Sequence, residues 1–397
     1  MEKRKYENQI LWIGAIAWLR ENRTYFPEVT YPGIVSGSAF QQAIIEGFEQ
    51  QGQQVRILSD GDMSTCDRVE WSHNGLSRDI RVAGRGNRLL RIPKKIKELL
   101  KEIKKPECLK DVDIVCAYEM HFPYLLCLNR IKKKNPNMKT VLICPDLSIY
   151  MDLDSNHKPI KKILKKIECF VSRYLLESVD GYVLFTEQMK DYFVNYGKPY
   201  VVVEGVCCDK YPLKGSEKKP FIMHAGSLHY NTGIEELISA FESLNNNEIE
   251  LWFFGSGAMD AYITNVCRRN SKVKHMVFVS PDEFFEYEKQ ATLLVNVRDP
   301  KEAYTKYSFP SKTFEYMLSG TPFLSTDLPG IPEDYKEHLL LIKNNSVQEI
   351  SDGIRSALTM TDEERKKLGD GERKFVMEQK NKVIQSRKIL KFISELC

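Results

Sequence analysis

With 397 residues, 42% of them hydrophobic and 28% charged, the chain has the make-up of an ordinary soluble globular protein of about two or three domains. A net charge of +4 is too small to imply a nucleic-acid partner, and no nucleic-acid-binding motif accompanies the basic segments. No apolar run reaches the roughly 20 residues of a membrane-spanning helix. The ten cysteines show no even spacing and no C-x-x-C pair, so they read as small buried apolar residues of a reducing compartment. The adjacent Cys207 and Cys208 have no further Cys or His close by to complete a metal set.

Lys3, Arg4 and Lys5 precede the apolar run 10–17, a faint echo of a secretory leader. The run is short and no cleavage segment follows, so a buried first strand in a cytoplasmic protein is expected. From there, short apolar runs alternate with longer helical patterns, which is the signature of parallel α/β architecture. The first series of expected strands covers 10–17, 55–59, 112–117, 140–144, 181–185 and 200–203. A second series covers 221–225, 249–254, 276–279, 293–297, 322–325 and 339–342. Residues 211–220 are polar and bounded by Pro and Gly, and read as a linker. Each half is thus expected to be its own doubly wound sheet, with ligands beyond the carboxyl ends of the strands. The expected division is a first domain at 1–212, a second at 213–373, and a last helix at 374–397 packing back toward the first.

In the first domain, residues 31–38 join strand to helix, with the helix starting near Ala39. Gly37 and Ser38 are candidates for a phosphate loop there. The spacing is not G-x-G-x-x-G, and an ordinary βα loop explains it equally well. Residues 81–105 are crowded with Arg and Lys. In 159–171, Lys161, Lys162, Lys165 and Lys166 line one helical face, while Ile160, Ile163, Leu164 and Ile167 line the other. A basic amphipathic helix suits an anionic membrane surface. A solvated helix lying on a core accounts for it as well.

In the second domain, His224-Ala225-Gly226-Ser227 ends a strand, and an amphipathic helix follows Gly233. Gly226 and Ser227 would suit a diphosphate, while His224 reads as a structural core histidine. The turn Gly255-Ser256-Gly257 could approach a base or ribose, or be only a tight turn. Arg298 follows a buried strand, where its fork could meet a diphosphate or pair with Asp299 or Glu302. The most specific stretch is 307–322. Pro310 marks a helix start that Ser308 or Ser311 can cap, and Gly320 and Pro322 mark its end. Phe314, Met317 and Leu318 recur at helical spacing and should face a core. Ser311, Lys312 and Glu315 then share one face at the positive end of a short helix. A hydroxyl, a cation and free N–H groups suit a phosphate, and a carboxylate one turn on suits paired sugar hydroxyls.

Together these segments resemble the retaining family-4 glycosyltransferases of the GT-B fold, in particular bacterial enzymes of capsule, exopolysaccharide and O-antigen assembly. The resemblance rests on Ser308-Phe309-Pro310-Ser311-Lys312, Glu315-Tyr316-Met317, Gly320-Thr321-Pro322, Ala225-Gly226-Ser227 with Gly233, residues 254–257, and the run 183–189. It is strong over 221–335 and loose before that. It implies two Rossmann-like domains facing a central cleft, with a UDP- or GDP-sugar held by the second. Glu315 matches the carboxylate for the ribose hydroxyls, Gly226 and Ser227 match the diphosphate turn, Ser311 and Lys312 support the phosphates, and Ser308 and Pro310 belong to the same donor site. Catalysis is then electrostatic, with donors fixed around the leaving diphosphate. Anomeric configuration is retained through an oxocarbenium-like state, and no metal or other cofactor is expected.

Three positions depart from the family pattern. The first glutamate of its E-x7-E pair falls on Tyr307, leaving Glu302 or Arg298 to serve the donor sugar. A lysine common before the diphosphate-helix glycine is Thr232 here, so positive charge falls to Arg298, Lys306 or Lys312. A histidine common after the strand at 140–144 is absent. Asp146 stands there instead, as an acceptor base or a helix cap. The expected activity is transfer of a sugar to a polyprenyl-diphosphate-linked saccharide in surface polysaccharide synthesis. Asp146, Arg298 and Lys312 would carry it, at the inner face of the cell membrane. An epimerase acting on a nucleotide sugar, or a non-catalytic partner subunit of a transferase, are the alternatives.

Overall fold

The computed structural model describes residues 9–16, 35–59, 68–73, 77–82, 91–147, 149, 170–207, 216–276 and 279–396. The chain divides into two compact units, one of residues 1–206 with 382–397 and one of residues 207–381. The boundaries read from sequence were 212/213 and 373/374. The helix Asp362–Gln379 runs through 373 without a break, which carries the second unit further.

The first unit is built on an eight-stranded sheet. Its strands are β1 (Gln9–Gly14), β2 (Val55–Ser59), β3 (Arg68–His73), β4 (Ser77–Val82), β5 (Val112–Tyr118), β6 (Lys139–Cys144), β7 (Gly181–Leu184) and β8 (Tyr200–Val202), in the order β3-β4-β2-β1-β5-β6-β7-β8. All neighbours are parallel except β3 and β4. Central strands are apolar at successive positions, because helices cover both faces. Residues 10–13 of β1 are all fully buried, for example. The β3–β4 hairpin has no counterpart among the sequence-based expectations. Its segments, RVEWSH and SRDIRV, carry too many charges to read as strands.

The last helix, Lys382–Leu396, belongs to this unit and packs on the helix Val35–Gln50. A Cβ at Gly47 would stand 2.4 Å from the Lys382 carbonyl oxygen, so only glycine permits this approach. Lys382 pairs with Glu46 at 3.2 Å, and Gln51 Nε2 donates to Ser386 Oγ at 2.7 Å. Among the described residues no helix is long and apolar enough to cross a membrane.

The second unit has six parallel strands. They are β9 (Phe221–Ala225), β10 (Glu250–Phe254), β11 (Val273–Met276), β12 (Leu293–Asn296), β13 (Phe323–Thr326) and β14 (Leu340–Ile342), ordered β11-β10-β9-β12-β13-β14. The order reverses between β9 and β12, and a crevice at such a switch point is the usual ligand site of an open α/β sheet. The core includes Ile222, Leu237, Leu251, Phe253, Val295, Leu324 and Ile354. β11 begins earlier than the expected 276–279, with Val273 paired to Leu251, and residues 277–278 of the expected strand lie outside the described residues. Part of the expected linker is docked on this unit. Lys219 N–H donates to the Gln290 carbonyl, and Lys218 Nζ donates to the Ala291 carbonyl (3.0 Å) and Thr321 Oγ1 (2.6 Å).

Gly47→Ala should lower the stability of the first unit by about 1–3 kcal/mol, because the two helices must separate to admit the methyl group. Urea unfolding reads the change. An unshifted midpoint would contradict the close helix contact.

Candidate active site

The site is built at the carboxyl edge of the second sheet. β9 runs into Gly226, whose φ of +138° is a conformation open to glycine. Its N–H donates to the Phe254 carbonyl at 3.0 Å. β10 runs into Gly255 (φ +118°), where a Cβ would lie 2.1 Å from the Gly226 carbonyl oxygen. A Cβ at Gly257 would lie 2.2 Å from the Leu228 carbonyl oxygen. The two βα turns therefore lie backbone against backbone. Gly255, expected to contact the donor, is explained by this packing alone. Gly226 differs: a Cβ there would meet nothing within 4 Å. Ser227 beside it is exposed. The first turn thus has one face tied to its neighbour and one face open.

Gly233 (φ +77°) precedes the helix Ile234–Ser243, and a Cβ there would stand 2.1 Å from the Val297 carbonyl oxygen. That contact brings the helix start beside Arg298. The Arg298 guanidinium lies 6.0 Å from the Tyr304 ring centre, and the Tyr304 hydroxyl donates to the Asn231 carbonyl at 2.9 Å. Thr326 Oγ1 donates to the Arg298 carbonyl at 2.7 Å and fixes its backbone. Arg298 makes no ion pair among the described residues, so the pairing with Asp299 or Glu302 does not form. His224 is fully enclosed, with Nδ1 3.1 Å from the Val295 carbonyl. A carbonyl only accepts, so Nδ1 carries the hydrogen. Burial, reinforced by the Arg298 charge, pushes the pKa of His224 down to about 4, so it is a neutral structural residue.

The helix of the most specific motif spans Lys312–Ser319. It starts two residues later than Pro310, whose carbonyl accepts the Thr313 N–H at 2.9 Å. Ser311 is the residue before it, but its side chain makes no capping hydrogen bond. The Thr313 N–H is therefore taken, and what this start offers an anion is its remaining N–H groups, which no side chain caps. Phe314, Met317 and Leu318 are buried, and Gly320 ends the helix at φ +73°. Tyr316 holds the arrangement together. Its buried hydroxyl accepts the Ala225 N–H at 2.7 Å, which fixes the helix against the end of β9. The Arg298 charge also reaches that hydroxyl.

On the exposed face of this helix Lys312 and Glu315 form an ion pair with each other. The Lys312 ammonium also sits 4.0 Å from the centre of the Phe284 ring, a cation–π contact. Burial alone would lower the pKa of Lys312. Glu315 and Glu288 outweigh it and hold the ammonium form above its usual range. Ser308 and Tyr307 are half-buried in the preceding loop, with the Lys306 ammonium 5.1 Å from the Tyr307 ring centre.

In the first unit Asp146 follows β6 and is half-buried, its carbonyl 3.3 Å from Cys144 Sγ. Gly37 and Ser38 lie inside the helix Val35–Gln50 rather than in the loop before it. A Cβ at Gly37 would meet the Tyr118 ring at an ordinary contact distance of 3.4 Å. Lys161, Lys162, Lys165 and Lys166 lie outside the described residues. Tyr304, Phe284 and Glu288 belong to the site and were missed. Nothing in their local sequence marks them, since only the packing of separate helices brings them together.

This geometry defines a doubly wound domain with an anion-ready crevice at its switch point. Residues 210–375 match the family of glycosyl transferases group 1. No curated protein matches the sequence. Among solved structures, the chain is similar to a sucrose-phosphate synthase from Thermosynechococcus elongatus, with TM-score 0.70, 15% identity, and 98% of this chain and 99% of that chain covered. It is similar to an E. coli trehalose-6-phosphate structure bound with UDP-2-fluoro glucose, with TM-score 0.66, 11% identity, and 98% and 99% covered. It is also similar to an alpha,alpha-trehalose-phosphate synthase from Burkholderia xenovorans in complex with glucose-6-phosphate, with TM-score 0.66, 11% identity, and 98% and 100% covered. The fold is GT-B, and the chain is an enzyme of the glycosyltransferase class.

Tyr316→Phe should cost about 1–3 kcal/mol, because it leaves the buried Ala225 N–H without an acceptor. Denaturant unfolding of the variant measures the loss. Wild-type stability would show that the hydrogen bond does not hold helix to turn.

Proposed function

We propose that the second unit binds a nucleoside-diphosphate sugar, with UDP or GDP as the nucleotide, and that the enzyme transfers the sugar with retained configuration. One observation carries this reading. A glycine turn with an open face, an unpaired guanidinium and an uncapped helix start lie together at one switch point. The diphosphate is met by the Gly226–Ser227 turn, Arg298 and the helix start at Ser311–Lys312. Glu315 takes the ribose hydroxyls, which requires it to leave Lys312. As the bond to the leaving diphosphate breaks, Arg298 and Lys312 stabilise the charge that grows on it. The cations are the protein's own, so the reading needs no metal. Ser308 and Pro310 shape the approach to the helix.

The acceptor is proposed to be a saccharide on a polyprenyl diphosphate, with Asp146 placing or deprotonating its hydroxyl. The expected basic segment at 159–171 runs into a described helical segment whose Phe170 and Tyr174, one turn apart, are 77% and 59% exposed. Exposed aromatic rings beside basic residues suit the interface of an anionic membrane. Binding to anionic vesicles that weakens as salt rises supports this placement. Equal recovery with neutral vesicles would remove it.

Lys312→Ala and Arg298→Ala should each lower turnover by about 10²–10³-fold, and Glu315→Ala should chiefly raise the KM for the donor. Radiolabelled donors reveal the outcome. Near-normal rates in all three would refute the site. Transfer to glucose 6-phosphate rather than to a lipid-linked saccharide would place the acceptor among the sugar phosphates. A new sugar isomer from donor alone would favour an epimerase.

A further inference from the structure

Glu288 has no role in the scheme above. It lies on the helix Pro281–Gln290, is fully buried, and neither carboxylate oxygen has a hydrogen-bond partner among the described residues. Such a group is costly unless it is neutral or paired. Phe284 precedes it by one turn on the same face, and the Phe284 ring carries the Lys312 ammonium at 4.0 Å. Glu288 is therefore next to the cation that Glu315 holds. The groups acting on it across the helix contact are Lys312, Glu315 and the Tyr316 hydroxyl. Burial dominates and pushes its pKa well above the usual carboxylate range. Lys312 pulls it down, and Glu315 pushes it up. Burial thus favours the neutral acid while Lys312 and Glu315 are paired.

We propose that Glu288 is a positioning residue, a latent second partner that takes over the Lys312 ammonium when Glu315 turns to the ribose of a bound nucleotide. This rests on the donor-site reading. In the free protein Glu315 is the counter-ion and Glu288 stays neutral. When Glu315 withdraws, the nearest carboxylate opposing ionisation of Glu288 is gone, and the ammonium has N–H donors free for a second partner beside the diphosphate. The Glu288 O–H bond breaks, its proton passes to water, and the carboxylate pairs with Lys312. No other bond changes. A lysine ammonium has three donors, so Lys312 can hold Glu288 and still reach a phosphate oxygen. The diphosphate charge is met chiefly by Arg298 and the helix start, with one Lys312 N–H left for it. The bound state then holds one proton fewer than the free state. Affinity must therefore rise with pH between the bound-state and free-state pKa values of Glu288 and level off outside that window.

Calorimetric titration of the full chain with UDP and with GDP, in Hepes and in Tris at pH 8, where the terminal phosphate of the nucleotide is already ionised, tests this. The expected result is a binding enthalpy that differs between the buffers by about the difference of their two ionisation heats, as one released proton requires. Glu288→Gln, close to isosteric, should bind more weakly, with no buffer dependence and a flat pH profile. The wild-type result stands by itself if the variant does not fold. Buffer-independent binding by the wild type, or buffer dependence retained in Glu288→Gln, would overturn the proposal while leaving the donor site intact. Binding of neither nucleotide would overturn both.

Discussion

Ala225 ends the central strand of the second sheet, and its N–H has no strand left to pair with. Tyr316 supplies the missing acceptor at 2.7 Å, from a helix ninety-one residues further along the chain. An unpaired N–H at that depth would be expensive, so the contact sets where the helix must lie. Everything on the helix is placed by it. Lys312 and Glu315 precede Tyr316 on the exposed side, and the open face of Gly226 follows Ala225 directly. The crevice is thus fixed by a residue that touches no ligand.

A second constraint is steric. Gly255 and Gly257 let one turn lie on the backbone of the other, and Gly233 lets a helix start meet the end of β12. These glycines make the edge compact, so its polar groups point outward rather than into each other. The charges follow the same logic. Lys312 is satisfied by Glu315 and the Phe284 ring, whereas Arg298 has only a ring. One cation is held in reserve by a partner that can move, and the other is ready for an anion.

Much of the fold was legible. The strands at 55–59 and 221–225 were placed by their apolar runs alone, because buried parallel strands have no polar alternation to confuse them. The strands β3 and β4 were not legible, since the outermost strands of a sheet can be highly charged and both of these segments are. The start of β11 was not legible either, because Lys274 and His275 interrupt its apolar residues and only pairing with β10 defines it. In the site, Lys312 and Glu315 could be read from helical spacing, yet their pairing with each other could not. Gly37 and Ser38 were read as the end of a loop, yet they lie in the helix Val35–Gln50, because a glycine near a helix start does not by itself mark the boundary. Glu288 was invisible because its meaning comes only from a neighbouring helix.

The central claim is that backbone N–H groups of the Gly226 turn and of the Lys312 helix start hold a nucleoside diphosphate together. Amide hydrogen exchange with and without saturating nucleotide reads those groups directly. Exchange should slow at residues 226–228 and 311–315 in the same titration and change little in the first unit. Binding that leaves both stretches unprotected, or protects only one of them, would contradict the account.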